Sequence, residues 1–439
     1  MSLVLGILLL AMACLPLRSW IAIFRSTSPL WLFASLAGVL AWFLRSPFQS
    51  FWDASNNGLG RLLQAVTFHS VGIVLRAFMP DALVDPTRFR VGTPLFAVIV
   101  AKQCSGIEGL GLVLVFTVVW LGYFRKESRF PQALLLVPCA LVSVWMLNVA
   151  RICSLVLIGN AGAPDVAMLG FHSQAGWIAF TAVAFAFSMA TRKLSWVRRT
   201  STGIGGNPAL AGVEKESGIA ANGAEESGES PAAPAYLMPF VAILAASLVS
   251  KAASGDFEWL YPLRFVAAAI AILYFRAELR KLNWRFGWMA PLVGTAVFLL
   301  WIAPAWWSGA TQPSALGASL GALSTPARLI WIAFRIAAAA ITVPIAEELA
   351  FRGFLARRVI DREFEQLPFS ALTAFSVFVS SIAFGLLYGR HWMAGIVAGL
   401  GYVCVLKWRG RMGDAVVAHA TSNLLLAAWV IWRGDWGLW

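Results

Sequence analysis

Apolar runs of bilayer length recur from one end of this 439-residue chain to the other, and no other feature constrains its fold as strongly. A run of about 20 apolar residues is long enough to cross the hydrocarbon core of a bilayer as a helix. Hydrocarbon offers no partner to a backbone N–H or C=O, so only helices and closed barrels can span it. These runs do not alternate in the manner of barrel strands, which leaves helices. The charged fraction agrees: it is 13%, against about 25% for a soluble domain. The expected fold class is an all-α polytopic membrane protein. Many of the 21 tryptophans (Trp20, Trp31, Trp52, Trp259, Trp392 and Trp439 among them) flank the runs, where aromatic belts form.

In the first part of the chain the expected spans lie near 2–17, 28–44, 106–124, 132–158 and 174–191. The opening MSLVLGILLLAMACLPL lacks a basic leader and a clear cleavage site, and reads as a retained span. Between the second and third spans, residues 46–103 carry Pro47, Asp53, Asp81, Asp85 and Pro86. They read as a small extramembrane insertion, with an amphipathic stretch near 61–79 and a strand-like piece at 89–103. Residues 198–235 are rich in Gly, Ser, Ala, Pro and Glu without apolar period, which predicts a flexible linker. The expected domains are therefore 1–197 and 236–439. In the second, spans are expected near 236–253, 260–276, 287–307, 326–346, 370–389, 392–407 and 414–432.

The net charge of +13 would suggest nucleic acid in a soluble protein. Here Lys and Arg sit in short loops between spans, so topology accounts for them and no nucleic-acid partner is expected. Loops near 18–25, 125–129 and 192–199 are basic and should be cytoplasmic. Alternation then puts 46–103 and 159–173 outside and the basic loops 276–285, 352–362 and 407–411 inside, along with the linker.

That topology brings three reactive residue types to one side of the membrane. Cys104 opens CSGIEG just before the span at 106–124. Arg151 lies within the next span, roughly 10 Å from its outer end at 1.5 Å per residue. His172 just precedes the span at 174–191. A thiolate is a nucleophile whose pKa falls beside a cation. Arg cannot deprotonate and can hold a thiolate or an oxyanion, and His can move the proton. Taken singly, each has a plainer reading: Cys104 as packing, Arg151 as a snorkelling cation, His172 as an interfacial polar group. The other cysteines, Cys14, Cys139, Cys153 and Cys404, lie in apolar runs and read as packing residues, not disulfides.

The second part has a carboxylate motif, PIAEELAFRGFLARR at 344–358. Glu348 and Arg352 are i, i+4 and share a helix face. Glu347 points elsewhere and could activate water. AHATSN at 418–423 places His419 and Asn423 at i, i+4 on another helix, where they could orient a water or stabilise an oxyanion, or act as polar glue between helices. No cofactor and no metal is expected.

CSGIEGLGLV (104–113), NVARICSLVLIG (148–159) and FHSQAGWIAF (171–180) together resemble, in order, the three signature blocks of the exosortase/archaeosortase family. That resemblance covers nearly all of 1–197. It implies a membrane cysteine transpeptidase that cleaves C-terminal sorting signals of exported proteins. By it Cys104 is the nucleophile, Arg151 the thiolate or oxyanion stabiliser and His172 the third catalytic residue, with Asn148 supporting Arg151. PIAEELAFRGFL and AHATSN resemble the EExxxR and HxxxN-type blocks of the CPBP intramembrane proteases, the CAAX protease and self-immunity family. That resemblance covers about 326–432 and implies a glutamate-type site of Glu347, Glu348, Arg352, His419 and Asn423. The family's middle block is FxxxH. Here SSIAFGLLYGRH (380–391) has Phe384, but Tyr388 stands in place of His, with His391 three residues on. The arrangement resembles one subfamily, the exosortase–protease fusions of the VPEID-CTERM sorting system. It implies a bacterial inner-membrane protein whose cysteine site faces the periplasm and whose partners are exported proteins with C-terminal sorting signals and membrane lipid. The alternatives are a non-catalytic scaffold or transporter, and activity in the glutamate site alone. Simple alternation puts Glu347 and His419 near the cytoplasmic side and Tyr388 toward the outer end of its helix.

Overall fold

The computed structural model describes residues 58–199, 232–308, 314–361 and 363–439. The expected spans at 2–17 and 28–44, the start of the insertion and the body of the linker lie outside the described residues. The chain separates into two compact units. Of the described residues, one holds those up to Phe116 together with Ala140–Cys153; the other holds those of Thr117–Cys139 and Ser154–Trp439.

In the first unit, the amphipathic stretch forms α1, Gly58–Phe78. Its buried face carries Gln64, Thr67, Phe68, Val71 and Leu75, the i, i+3, i+4, i+7 spacing of a helix with one covered side. The strand-like piece folds back as part of a small antiparallel sheet: β1 Leu83–Asp85, β2 Arg90–Gly92 and β3 Ala97–Ile99, in sequence order. Asp85 sets the first turn by accepting from the amide and hydroxyl of Thr87 and the amide of Arg88. Those bonds, the Thr87 hydroxyl first, hold its carboxyl below the ordinary range. A short 3-10 turn, Lys102–Ser105, then leads into α2, Ile107–Tyr123. Gly106 makes that junction with φ of +92°, a conformation that L side chains rarely adopt.

Among the described residues, five helices are long and apolar enough to cross a membrane: Gln132–Asn160, Val166–Lys193, Ala233–Ala252, Thr325–Arg358 and Met412–Arg433. We denote α3 as Leu136–Asn160, α4 as His172–Lys193, α5 as Ala233–Ala252 and α6 as Pro262–Tyr274. α7 is Met289–Ser308, α8 Ala315–Ala322, and α9 the continuous run Thr325–Arg358. α10 is Ala374–Leu386, α11 Trp392–Arg409 and α12 Met412–Arg433. Outward side chains such as Val118, Val119, Ile270, Leu299 and Leu300 are exposed, the surface expected where lipid is the solvent. The chain is a multi-pass membrane protein.

Two expectations change here. The helix expected to stop at 346 continues to Arg358, so the carboxylate pair sits inside it. The run at 370–389 contains only the 13-residue α10. The first change has a visible cause. α9 does not break at Pro344; it widens to π geometry over Ala338–Thr342 and again over Leu349–Leu355. Pro344 has no N–H for the carbonyl of Ala340, and its ring crowds that carbonyl, so local unwinding relieves the clash.

The basic loops of the second unit group as expected. Arg129 N donates to Val197 O at 2.7 Å and Arg199 N to Glu127 O at 2.8 Å, tying the 125–129 loop to 197–199. Gly413 N donates to Asn283 O, and buried Asp414 accepts from Gly287 N at 2.8 Å, joining the loops near 283 and 411. Each tied pair therefore lies on one side. Within the same unit the turn before α4 packs on the end of α5. A Cβ on Gly170 would fall 1.8 Å from Ser254 O.

Candidate functional site

The turn bearing Cys104 is held through its backbone carbonyls. Asn148 Nδ2 donates to Cys104 O at 2.9 Å, Thr67 Oγ1 to Ser105 O at 3.0 Å and Gln64 Nε2 to Val100 O at 2.8 Å. All three side chains are buried. Trp145 Nε1 donates to Thr67 Oγ1 at 3.0 Å, which fixes that hydroxyl's role as donor to Ser105. Arg151, one helical turn beyond Asn148 on α3, donates to Asn148 Oδ1 at 3.3 Å. Its guanidinium lies within electrostatic reach of the Cys104 thiol and the Glu108 carboxylate. Arg151 is nine residues from the end of α3 at Asn160, about 14 Å along the helix. Cys104 is a free, half-buried thiol, while Cys153 is buried against Val71. Cys104, Asn148 and Arg151 thus share the first unit. His172 opens α4 in the second unit, after a π turn at Val166–Phe171.

The second site is a closed polar cluster among aromatic rings. Glu348 and Arg352 are both fully buried and form an ion pair, Arg352 Nε to Glu348 Oε2 at 3.2 Å. Arg352 also donates to Gly399 O at 3.0 Å and lies over the Phe384 ring at 4.2 Å. His419 bridges the two carboxylates. Its Nδ1 is 3.0 Å from Glu348 Oε1, and its Nε2 is 3.9 Å from Glu347 Oε2. Tyr402 stacks on the His419 ring at 4.8 Å and 14°. The Tyr402 and Ser422 hydroxyls are 2.5 Å apart, and Ser422 donates to His419 O. Asn423 Nδ2 donates to Ala339 O at 2.8 Å, within the first π segment of α9.

Glu347 and Glu348 leave the helix in different directions, yet both face the same imidazole, one at each of its nitrogens. Tyr388 joins them, its hydroxyl donating to Glu347 Oε2 at 3.3 Å. The depth expected from alternation separated these two residues; the structure does not. Glu347 lies 11 residues before the end of α9, about 16 Å along it, and the short α10 brings Tyr388 to that level. His391 is not in this cluster. It faces Trp301, with ring centroids 5.7 Å apart. Tyr402, Ser422, Gln64 and Thr67 were not singled out by the sequence. Ser422 stood inside the AHATSN block, but an isolated Tyr, Gln or Thr on an apolar helix gives no such signal. Among the described residues, no group of three or more His, Cys, Asp or Glu side chains is arranged to hold a metal ion.

Residues 1–189 match the transmembrane exosortase family (EpsH type), and residues 329–425 match the Rce1-like type II CAAX prenyl endopeptidase family. The chain is thus similar to exosortases over its first part and to CAAX proteases over part of its second. The exosortase match contains Cys104, Arg151 and His172; the CAAX-protease match contains Glu347 through Asn423. Both families are membrane peptidases in the broad sense. No curated protein and no solved structure matches the chain.

Proposed function

We propose that the exosortase region is a cysteine transpeptidase acting on the C-terminal sorting signals of exported proteins, from the periplasmic face of a bacterial inner membrane. The observation that carries this reading is the pair of bonds through Asn148, which ties the Cys104 turn to Arg151. The Cys104 thiolate attacks the scissile carbonyl, whose carbon gains an Sγ–C bond, and Arg151 balances the charge on the tetrahedral oxygen. Collapse breaks the C–N bond, and the departing amine takes a proton delivered by His172. The resulting thioester is released by attack of an acceptor nucleophile. The reading is tested with Cys104→Ala and Cys104→Ser in cells. Both should leave sorting-signal proteins at precursor mass; mature product in either variant overturns it.

In the CAAX-protease region, Glu347 takes a proton from water, and Glu348 with Arg352 keeps His419 aligned beside it. Tyr388, in the family's usual His position, supplies a hydrogen bond to Glu347 instead of a basic nitrogen. This region trims a membrane peptide, such as the fragment released by the first. A second reading gives all processing to this glutamate site; the gathering of Glu347, Glu348, Arg352 and His419 in one buried cluster favours it. Then Glu347→Gln would abolish processing and Cys104→Ala would leave it intact.

A further inference from the structure

Between α7, α11 and α12 lies a half-enclosed cleft of about 50 Å³, well below the size of ordinary ligand pockets. We infer that this cleft is the subsite that receives an apolar side chain of the peptide cut at Glu347, with Trp301 and Ala398 setting the size it accepts. The inference rests on the glutamate-site reading above.

Two observations tie the cleft to that site. Tyr388 lines it and at the same time donates to Glu347 Oε2. Asn423 lines it and sits one helical turn beyond His419. A side chain seated there would hold its own backbone against Tyr388, one hydrogen bond from the carboxylate. The chemistry of the walls selects the occupant. Val297, Phe298 and Leu426 are apolar, and Trp301 presents its ring, packed 5.2 Å from that of Tyr388. The hydroxyls of Tyr402 and Ser422 also line the cleft, but they are bonded to each other, and Ser422 bonds His419 O as well. Asn423 commits one of its amide N–H groups to Ala339 O. A polar guest would therefore lose water and find few partners, whereas an apolar guest loses nothing. The volume suits one apolar side chain. Ala398, buried at the cleft's α11 wall, leaves space that a larger residue would occupy.

The test uses the full chain in liposomes and a set of single-span peptides differing at one residue beside the cut, Ala, Leu or Phe. Cleavage is read by mass spectrometry as kcat/KM. The unaltered protein should favour Leu over Ala by roughly 10-fold or more, the size of discrimination an apolar pocket provides. Ala398→Leu should reverse that order, and Trp301→Ala should move the preference to Phe. An unchanged order in both variants, with cleavage still lost in Glu347→Gln, overturns the cleft and leaves the protease reading standing. Cleavage that persists in Glu347→Gln, or none at all, removes the protease reading instead. The cleft is then tested by thiol crosslinking of a cysteine-bearing apolar peptide to Leu426→Cys and to Leu424→Cys, an exposed position on the same helix. Several-fold more crosslinking at 426 supports the cleft; equal yields refute it.

Discussion

Arg352 offers the sharpest energetic test. Its side chain and that of Glu348 are both fully buried, with the ion pair at 3.2 Å. At an effective dielectric near 20, unit charges at that separation attract by about 5 kcal/mol. Much of this offsets the cost of removing both ions from water, so the intact pair contributes little net stability. Breaking it is another matter. Arg352→Met strands the Glu348 carboxylate with His419 Nδ1 at 3.0 Å, and the loss should be about 3–5 kcal/mol. For a unit of this size that corresponds to a melting temperature lower by about 6–20 °C, read from tryptophan fluorescence in detergent. Glu348→Leu alone should be comparably harmful, because Arg352 then keeps one carbonyl and two ring faces. The double variant Glu348→Leu/Arg352→Met should be less harmful than the two single losses added together, since neither charge remains. Its residual cost is the unpaired His419 nitrogen, about 1–3 kcal/mol. An Arg352→Met protein melting within about 2 °C of the parent, a change worth no more than about 1 kcal/mol, would refute the reasoning. So would strict additivity in the double variant.

Asn148→Ala should lower kcat for sorting-signal cleavage with little change in KM, because it releases the Cys104 carbonyl and Arg151 together; an equal fall in thermal stability and no kinetic effect would make it merely structural. Gly170→Ala places a methyl 1.8 Å from Ser254 O, so the turn before α4 must move off α5; the protein should melt several degrees lower, and an unchanged melting curve contradicts the packing. Tyr388→Phe removes the hydroxyl that donates to Glu347 and should slow glutamate-site cleavage roughly ten- to a hundredfold, the worth of a hydrogen bond to a charged group; full activity would show that Tyr388 only fills space. The Asp85 turn gives a pH dependence whose sign follows from its depressed carboxyl. Its contribution is present above the unfolded value of about 3.9 and is lost as pH falls through the lower folded value. Hydrogen exchange at the Thr87 and Arg88 amides should therefore quicken only at acid pH, and Asp85→Asn should remove that response.

The helices were legible because lipid leaves a chain few choices. Runs such as 132–158 and 414–432 reappear as Gln132–Asn160 and Met412–Arg433 to within two residues or so. The amphipathic period at 61–79 likewise became α1. The pairing of Glu348 with Arg352 was legible too, because i, i+4 spacing is a local property. What failed was depth. Counting alternate spans assumes that each run crosses the bilayer and that each helix ends where its apolar run meets a charge. Glu347 and Glu348 are charges that α9 carries inward, so 346 was a false end, and α10 is too short to count as a crossing. The clamp on the Cys104 turn was invisible for another reason. Gln64 and Thr67 lie about 40 residues upstream, and only the hairpin of β1 to β3 folds the chain back so that their donors meet carbonyls 100 and 105.

The π segments connect these failures to the chemistry. An α-helix turns about 100° per residue, so adjacent residues such as Glu347 and Glu348 diverge. Here they straddle one imidazole, and the wider turns on either side of Val343–Glu348 set the rotation at which this happens. Widening a helix loosens its own carbonyls, and π segments recur at functional sites for that reason. Asn423 donates to Ala339 O, one of the carbonyls in the widened stretch. That residue was expected to orient a water or an oxyanion. Its observed bond to another helix is of the kind expected of polar glue between helices, the other role its spacing allowed. Asn423 fastens α12 to the unwound part of α9 and so fixes His419, one turn earlier, between the two carboxylates. Pro344, which forces the unwinding, and Asn423, which repairs it, are thus parts of one device, and the position of Glu347 depends on both. The motif's spacing in sequence is the record of a helix that is not regular.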